Sequence, residues 1–348
     1  MRPDFTNPPK LSPGDRVAVV SPSHAAPATY PELHEQAMWR LREDFGLEPV
    51  EYPTTRRLGA PAEDRAADLM AAYADPTVRA VLATIGGSDQ ITVLPHLDPR
   101  PFIADPKPFF GYSDNTNLLM WLWNHGVAGY HGGSTMVHLA RGGGLQPVSA
   151  ESLRAALFRS GDLEIHPVEE FSEQDIDWRD PAALTSSAPM TPSPGWVWHN
   201  PARTVTAPTW GGNLEILHWQ LAVNRWMRPD EDYAGCILLL ETSEEMPPAE
   251  EVFRMLRNAG ERGLLQQFPA VLVATAKATA RGHERTPEER TRYRDGQRAA
   301  VLRALNDYNP EAMVVFGVDF GHTDPQWILP YGGTMTVDGP GRRITAHL

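Results

Sequence analysis

Pro108-Phe109-Phe110-Gly111-Tyr112-Ser113-Asp114-Asn115-Thr116-Asn117-Leu118-Leu119 holds the change of hydrophobic period that decides the fold. Phe109 and Phe110 predict a buried strand end, and Gly111 permits a sharp turn. Asp114, Asn115 and Thr116 are good helix openers, and Leu118 to Trp123 supplies the apolar mass of a helix. Ser113 therefore sits where a strand stops and a helix begins. A serine there projects its hydroxyl from a tight bend, beside the free N–H groups and positive dipole end of a helix N-terminus. That suits a nucleophile that generates an oxyanion. The second glycine of G-x-S-x-G is missing, since position 115 is Asn. On this stretch alone another reading stands: Ser113 or Asp114 simply caps the helix.

Working outward, apolar runs of strand length occur at 17–20 and 80–85, with a further strand expected at 48–52. Helical spacing occupies 30–45 and 62–73. Ser21-Pro22-Ser23-His24 and Gly86-Gly87-Ser88-Asp89-Gln90 follow the two apolar runs, the second leading into an expected helix through Leu94. Strand and helix alternate with Gly-rich turns after strands, the pattern of an open parallel α/β sheet, whose ligand sites lie outside the strand C-termini. Gly86-Gly87 and Gly111 to Asp114 then face one crevice. A helix at 149–158 closes this part.

From 161 to 208 the chain turns rich in Pro, Ser, Trp and acidic residues, a linker plus irregular insertion in which Trp178, Trp196 and Trp198 call for burial or a ligand. A second unit follows: a turn at 209–213, a helix through Val223, strands at 236–240, 270–274 and 313–318, helices at 248–259 and 288–306, and short strands to the end. The reading is α/β in two domains: residues 1–160, an open parallel-sheet domain of flavodoxin or Rossmann type, residues 161–208, the linker and insertion, and residues 209–348, a mixed α/β domain.

Length and composition fit this. The 348 residues hold 41% hydrophobic and 22% charged side chains, with a net charge of −13, which disfavours a basic nucleic-acid or membrane face. Cys236, the single cysteine, lies in an apolar run and reads as a core residue. A signal segment and a membrane-spanning stretch are both missing, so a cytoplasmic protein is expected. His131 and His138 lack metal-ligand spacing on one helical face, and Gly142-Gly143-Gly144 lacks the Lys-Ser/Thr of a phosphate loop.

Two polar residues stand where buried strands end: Glu241 after Ile237-Leu238-Leu239-Leu240, and His322 after the 313–318 run. With Ser113 they would make a Ser-His-Glu triad, although Glu241 also reads as a cap and His322 as a satisfied loop histidine. Several separated segments resemble the LD-carboxypeptidase family of serine peptidases, which also contains the microcin C immunity proteins. They are Leu11-Ser12-Pro13-Gly14-Asp15 with Val20-Ser21-Pro22-Ser23, Thr84-Ile85-Gly86-Gly87, Lys107 to Thr116, Gly211-Gly212-Asn213-Leu214, Ile237 to Glu241, and Gly321-His322 with Pro325 and Leu329-Pro330. The resemblance implies Ser113 as nucleophile, Glu241 as acid and His322 as base. It also implies oxyanion donation by the N–H groups of Gly87 and Asp114, a cleft between two domains, no metal or cofactor, and a homodimer.

The Ile85 to Gln90 loop is similar to that of the immunity branch, which makes Ser88 and Asp89 expected substrate contacts. Asp177-Trp178 resembles the place where that branch stacks an adenine ring, and Trp178 also reads as packing. The expected activity is hydrolysis of an amide bond in peptidyl or aminoacyl nucleotide conjugates. Removal of D-alanine from a murein tetrapeptide is the alternative, and a non-catalytic peptide- or nucleotide-binding module the rival of another class.

Overall fold

The computed structural model describes residues 1–174 and 176–348. Among them a six-stranded sheet runs Leu329–Tyr331, Gly129–His131, Phe109–Gly111, Val78–Ala83, Arg16–Val20, Glu48–Glu51 in spatial order. Every neighbour pair is parallel except the first, where Leu329–Tyr331 lies antiparallel to Gly129–His131. Val17, Val19, Val81 and Leu82 are fully buried, as expected of a parallel sheet covered on both faces. The helix Thr116–Asn124 packs Leu118, Leu119, Trp121, Leu122 and Trp123 at 3% exposure or less. Burying each such side chain contributes about 1.5–3 kcal/mol.

A second sheet of eight strands runs Asp162–Ile165, Arg343–His347, Thr334–Asp338, Thr204–Asn213, Ile237–Glu241, Ala270–Ala274, Met313–Val318, Val197–His199. Its middle is parallel and its flanks antiparallel. Helices Ala249–Arg262 and Pro287–Tyr308 cover it, the latter opened by a Thr286–Glu289 capping box. The two sheets meet through Trp123, whose indole N–H donates to Thr209 O at 3.2 Å and whose ring stacks on Tyr233. The mixed α/β class with parallel sheets in two units is as expected.

Three local expectations differ. The strand Thr204–Asn213 continues through the expected turn, because Gly211 stands so close to Leu239 that a Cβ would fall 2.1 Å from its carbonyl oxygen. The helix expected through Leu94 is two short 3-10 turns, Gln90–Thr92 and Leu94–His96: Pro95 lacks an N–H and the Gln90 N–H is spent on Asp114. The segment expected to be irregular supplies both edge strands of the second sheet, Asp162–Ile165 and Val197–His199, while Leu329–Tyr331 crosses back to the first. The C-terminal part of the chain thus lends a strand to the first sheet, and the cleft is lined by residues from His24 to Asp324.

Candidate active site

Ser113 stands two residues beyond the strand Phe109–Gly111. Tyr112 is extended, and Ser113 turns the chain with a φ of 61° into a 3-10 turn, Ser113–Asn115, and the helix Thr116–Asn124. A positive φ in a residue with a Cβ costs on the order of 1 kcal/mol, so the surroundings must enforce it. They do. Gly86, in the turn after the adjacent strand, lies so close that a Cβ there would be 2.8 Å from Ser113 Cβ and 3.2 Å from the Asp114 nitrogen. The Asn115 amide donates to Ile85 O at 3.1 Å, the Gln90 amide donates to Asn115 Oδ1 at 2.7 Å, and Gln90 Oε1 accepts from the Leu118 N–H at 2.9 Å.

Asp114 faces inward, 1% exposed. Its carboxylate accepts from the Ser23 hydroxyl at 2.5 Å, the Gln90 N–H at 2.9 Å and the Asn117 amide at 2.8 Å. Burial pushes its pKa up against these bonds. The side chain thus anchors the bend from behind while its backbone N–H stays at the start of the turn.

Glu241 is the last residue of the strand Ile237–Glu241, and His322 lies in the loop after Met313–Val318. His322 Nδ1 pairs with Glu241 Oε2 at 2.5 Å. Burial works against protonating this imidazole, but the charge and hydrogen bond of Glu241, with Glu244 and Glu215 beyond, raise its pKa to about 9. For Glu241, burial pushes up and the partnership with His322 pulls down, with the net shift downward. The other ring nitrogen, Nε2, lies 3.3 Å from Glu244 Oε2. Tyr112 packs edge-on against His322 with centroids 4.9 Å apart, and His131 Nε2 lies 4.0 Å from Glu241 Oε1.

Ser113, His322 and Gly87 open on one cleft of about 540 Å³, whose far wall carries Trp178, Ser186 and Ser187 from the 161–208 segment. Trp178 meets Tyr30 edge-to-face at 5.3 Å and 83°. Trp196 and Trp198 pack against each other and the second sheet instead, with Arg342 over the Trp198 ring. Ser88 and Asp89, expected to touch substrate, do not line the cleft. The Gly86-Gly87 turn carries them outward, where Asp89 forks with Arg65 at 2.8 and 2.9 Å. Sequence reasoning singled out neither Ser23 nor Tyr112, His131 or Glu244 for the site. Ser23 had a signal, the polar turn after an apolar strand; Glu244 had none beyond its place near Glu241.

Among the described residues, no group of three or more His, Cys, Asp or Glu side chains is arranged to hold a metal ion, and no helix is long and apolar enough to cross a membrane. Residues 17–132 match the LD-carboxypeptidase N-terminal domain, and residues 206–337 the LD-carboxypeptidase C-terminal domain. A putative carboxypeptidase of Vibrio cholerae is 26% identical over 94% of this chain and 93% of its own. The microcin C7 self-immunity protein of Escherichia coli is 26% identical over 81% of this chain and 78% of its own. The solved structure of a microcin C7 self-immunity protein in complex with aspartyl sulfamoyl adenosine superimposes with a TM-score of 0.81 at 22% identity, covering 100% of this chain and 98% of that one.

Proposed function

The chain belongs to the LD-carboxypeptidase family of serine peptidases, and from that premise we propose that it hydrolyses an amide bond in peptidyl or aminoacyl nucleotide conjugates through Ser113, His322 and Glu241. Ser113 Oγ attacks the scissile carbonyl carbon and His322 Nε2 takes its proton. The N–H groups of Gly87 and Asp114 receive the oxyanion. The imidazolium then gives its proton to the leaving nitrogen, whose bond to carbon breaks. Water, deprotonated by His322, then attacks the acyl carbon; the ester bond to Ser113 Oγ breaks, the imidazolium returns its proton to Oγ, and the acyl group leaves as a carboxylate. Glu241 keeps Nδ1 protonated and offsets the imidazolium charge.

The observation that carries this reading is the 2.5 Å pairing of His322 with buried Glu241 at the cleft that Ser113 opens on. The nucleotide is favoured by Trp178 on the cleft wall, since a base can stack on an indole, and by the aspartyl sulfamoyl adenosine in the solved structure of a microcin C7 self-immunity protein. Relatives named carboxypeptidases favour the second reading, release of D-alanine from a murein tetrapeptide. Wild type and Ser113→Ala should be given both substrates side by side. Cleavage of aspartyl sulfamoyl adenosine by wild type alone is the expected result. Release of D-alanine alone would transfer the assignment to the murein reading, and equal activity in Ser113→Ala would remove Ser113 as nucleophile.

The functional unit in this reading is a homodimer. The helix Leu214–Val223 supports it by leaving two large apolar side chains at the surface, Trp219 39% and Val223 52% exposed. Light scattering on the purified chain tests it. The division into residues 1–160, 161–208 and 209–348 belongs to the same proposal, and limited proteolysis would place the first cuts within 161–208.

A further inference from the structure

The His322 imidazole is held between two carboxylates, Glu241 at Nδ1 and Glu244 at Nε2. The two differ in setting. The Glu241 side chain is fully buried, whereas that of Glu244 is 58% exposed and lines the cleft. The loop leaves Glu244 little choice of position. The Ser243 N–H and hydroxyl both donate to buried Glu215, at 2.9 and 2.7 Å, and the Glu245 N–H donates to Ser243 Oγ at 3.2 Å. Met246 is buried with a φ of 52°. The backbone is thus pinned on both sides of a side chain that enters the cleft.

Other charges on the cleft wall pair with one another. Arg141 binds Asp324, Arg281 binds Asp177, and Glu173 is held by Arg290 and Arg294; Lys277 lines the wall as well. The ion pair of Glu244 is with His322 itself. Nε2 is the nitrogen that the mechanism above assigns to Ser113 and the leaving nitrogen, and a carboxylate is its partner at 3.3 Å. That carboxylate has to move before turnover. Glu244 and Ser113 line the same cleft, where a cation bonded next to the scissile carbonyl would face this carboxylate.

We propose that Glu244 is a specificity-determining residue: it selects substrates with a free ammonium beside the scissile carbonyl, as in an aminoacyl conjugate with an unblocked α-amine, and holds His322 away from Ser113 until one binds. This rests on the Ser113, His322 and Glu241 reading above. The groups facing His322 are Glu241 on its strand, Glu244 on the following loop, Glu215 behind that loop, and His131, His138 and Tyr112 from the first sheet side. Of the carboxylates, Glu244 is the one on the solvent side. When it turns to the ammonium, the imidazolium loses one of its two carboxylates, its proton passes to solvent, and the Nε2 lone pair becomes free for Ser113.

The test compares wild type and Glu244→Gln on aspartyl sulfamoyl adenosine and on its Nα-acetylated form. Wild type should favour the free amine by at least about tenfold in kcat/KM, and Glu244→Gln should bring the two within about twofold. In the resting proteins, a nitrogen-15 histidine titration should place the His322 midpoint about one pH unit lower in Glu244→Gln. An unchanged preference in the variant overturns the proposal. If wild type cleaves neither compound, the nucleotide-conjugate reading fails, and an unmoved His322 midpoint would then overturn the Glu244 assignment separately.

Discussion

Ser113 turns the chain at a φ of 61° directly against Gly86, where a Cβ would come within 2.8 Å of the serine Cβ. Two strand-to-helix turns on adjacent parallel strands are thereby locked together, one carrying the hydroxyl and the other the Gly87 N–H. Gly86→Ala forces one of them to shift. The expected outcome is a loss of turnover of about 100-fold or more, because an oxyanion donor displaced by about 1 Å ceases to work. Overpacking should lower stability by about 1–3 kcal/mol, leaving the chain folded. Turnover assays with a thermal melt check both. Activity within threefold of wild type would show that the two turns are not coupled.

Much of this was legible in the residues. The parallel sheets follow from apolar runs such as 17–20 and 313–318, which have the length and continuity of strands buried on both faces. The ends of Phe109–Gly111 and Ile237–Glu241 pointed at Ser113 and Glu241 because a polar residue closing a buried strand requires a reason. Leu329–Tyr331 could not be placed, since crossing to the first sheet is a matter of tertiary register and not of local pattern. The edge strands Asp162–Ile165 and Val197–His199 were hidden for a related reason. They are short and half exposed, and they are strands only through the neighbour each pairs with. The loop position of Asp89 was visible in the sequence, while its partner Arg65, 24 residues away, was not.

The raised pKa of His322 has a direct kinetic consequence. In the base role proposed above the imidazole must be neutral, and a value near 9 keeps it protonated in the free protein at pH 7. The kcat/KM should therefore climb about tenfold per pH unit below this value and level off above it. Displacement of Glu244 by a bound ammonium lowers the value in the complex, so the limb in kcat should lie at lower pH than that in kcat/KM. Profiles from pH 6 to 10, with Ser113→Ala as blank, test this. A kcat/KM flat from pH 6.5 upward would contradict it.

Trp178 stands on the cleft wall with Tyr30 edge-on to its ring, an arrangement that orients one indole face. If a nucleobase stacks there, Trp178→Ala removes about 1–3 kcal/mol of binding. The KM for aspartyl sulfamoyl adenosine should rise about tenfold or more with kcat within about threefold, because the ring is remote from the bond that breaks. Trp178→Phe should recover most of the loss. A fall in kcat with KM unchanged would return Trp178 to packing.

Asp319 connects stability to the same loop, three residues before His322. It is 1% exposed, and its carboxylate accepts from the Thr275 hydroxyl at 3.3 Å and the Val168 N–H at 3.4 Å, both long. Burial raises its pKa to about 7 from an ordinary 3.8, with these bonds pulling weakly the other way. A carboxyl whose pKa is raised by folding favours the fold in its neutral form. Its contribution is fully present below about pH 4 and is lost as pH rises through about 7. Asp319→Asn removes the charge while keeping shape and hydrogen-bonding capacity. Relative to wild type, the variant should gain at both values, and by on the order of 2 kcal/mol more at pH 8 than at pH 5, since at pH 5 the unfolded chain is ionised while the fold still holds the proton. Comparing the two proteins at each pH cancels the other titrating groups, so denaturant unfolding at both values isolates this one. A difference that is the same at pH 5 and pH 8 would mean that Asp319 is ionised in the fold throughout, held by its two donors more strongly than their lengths imply.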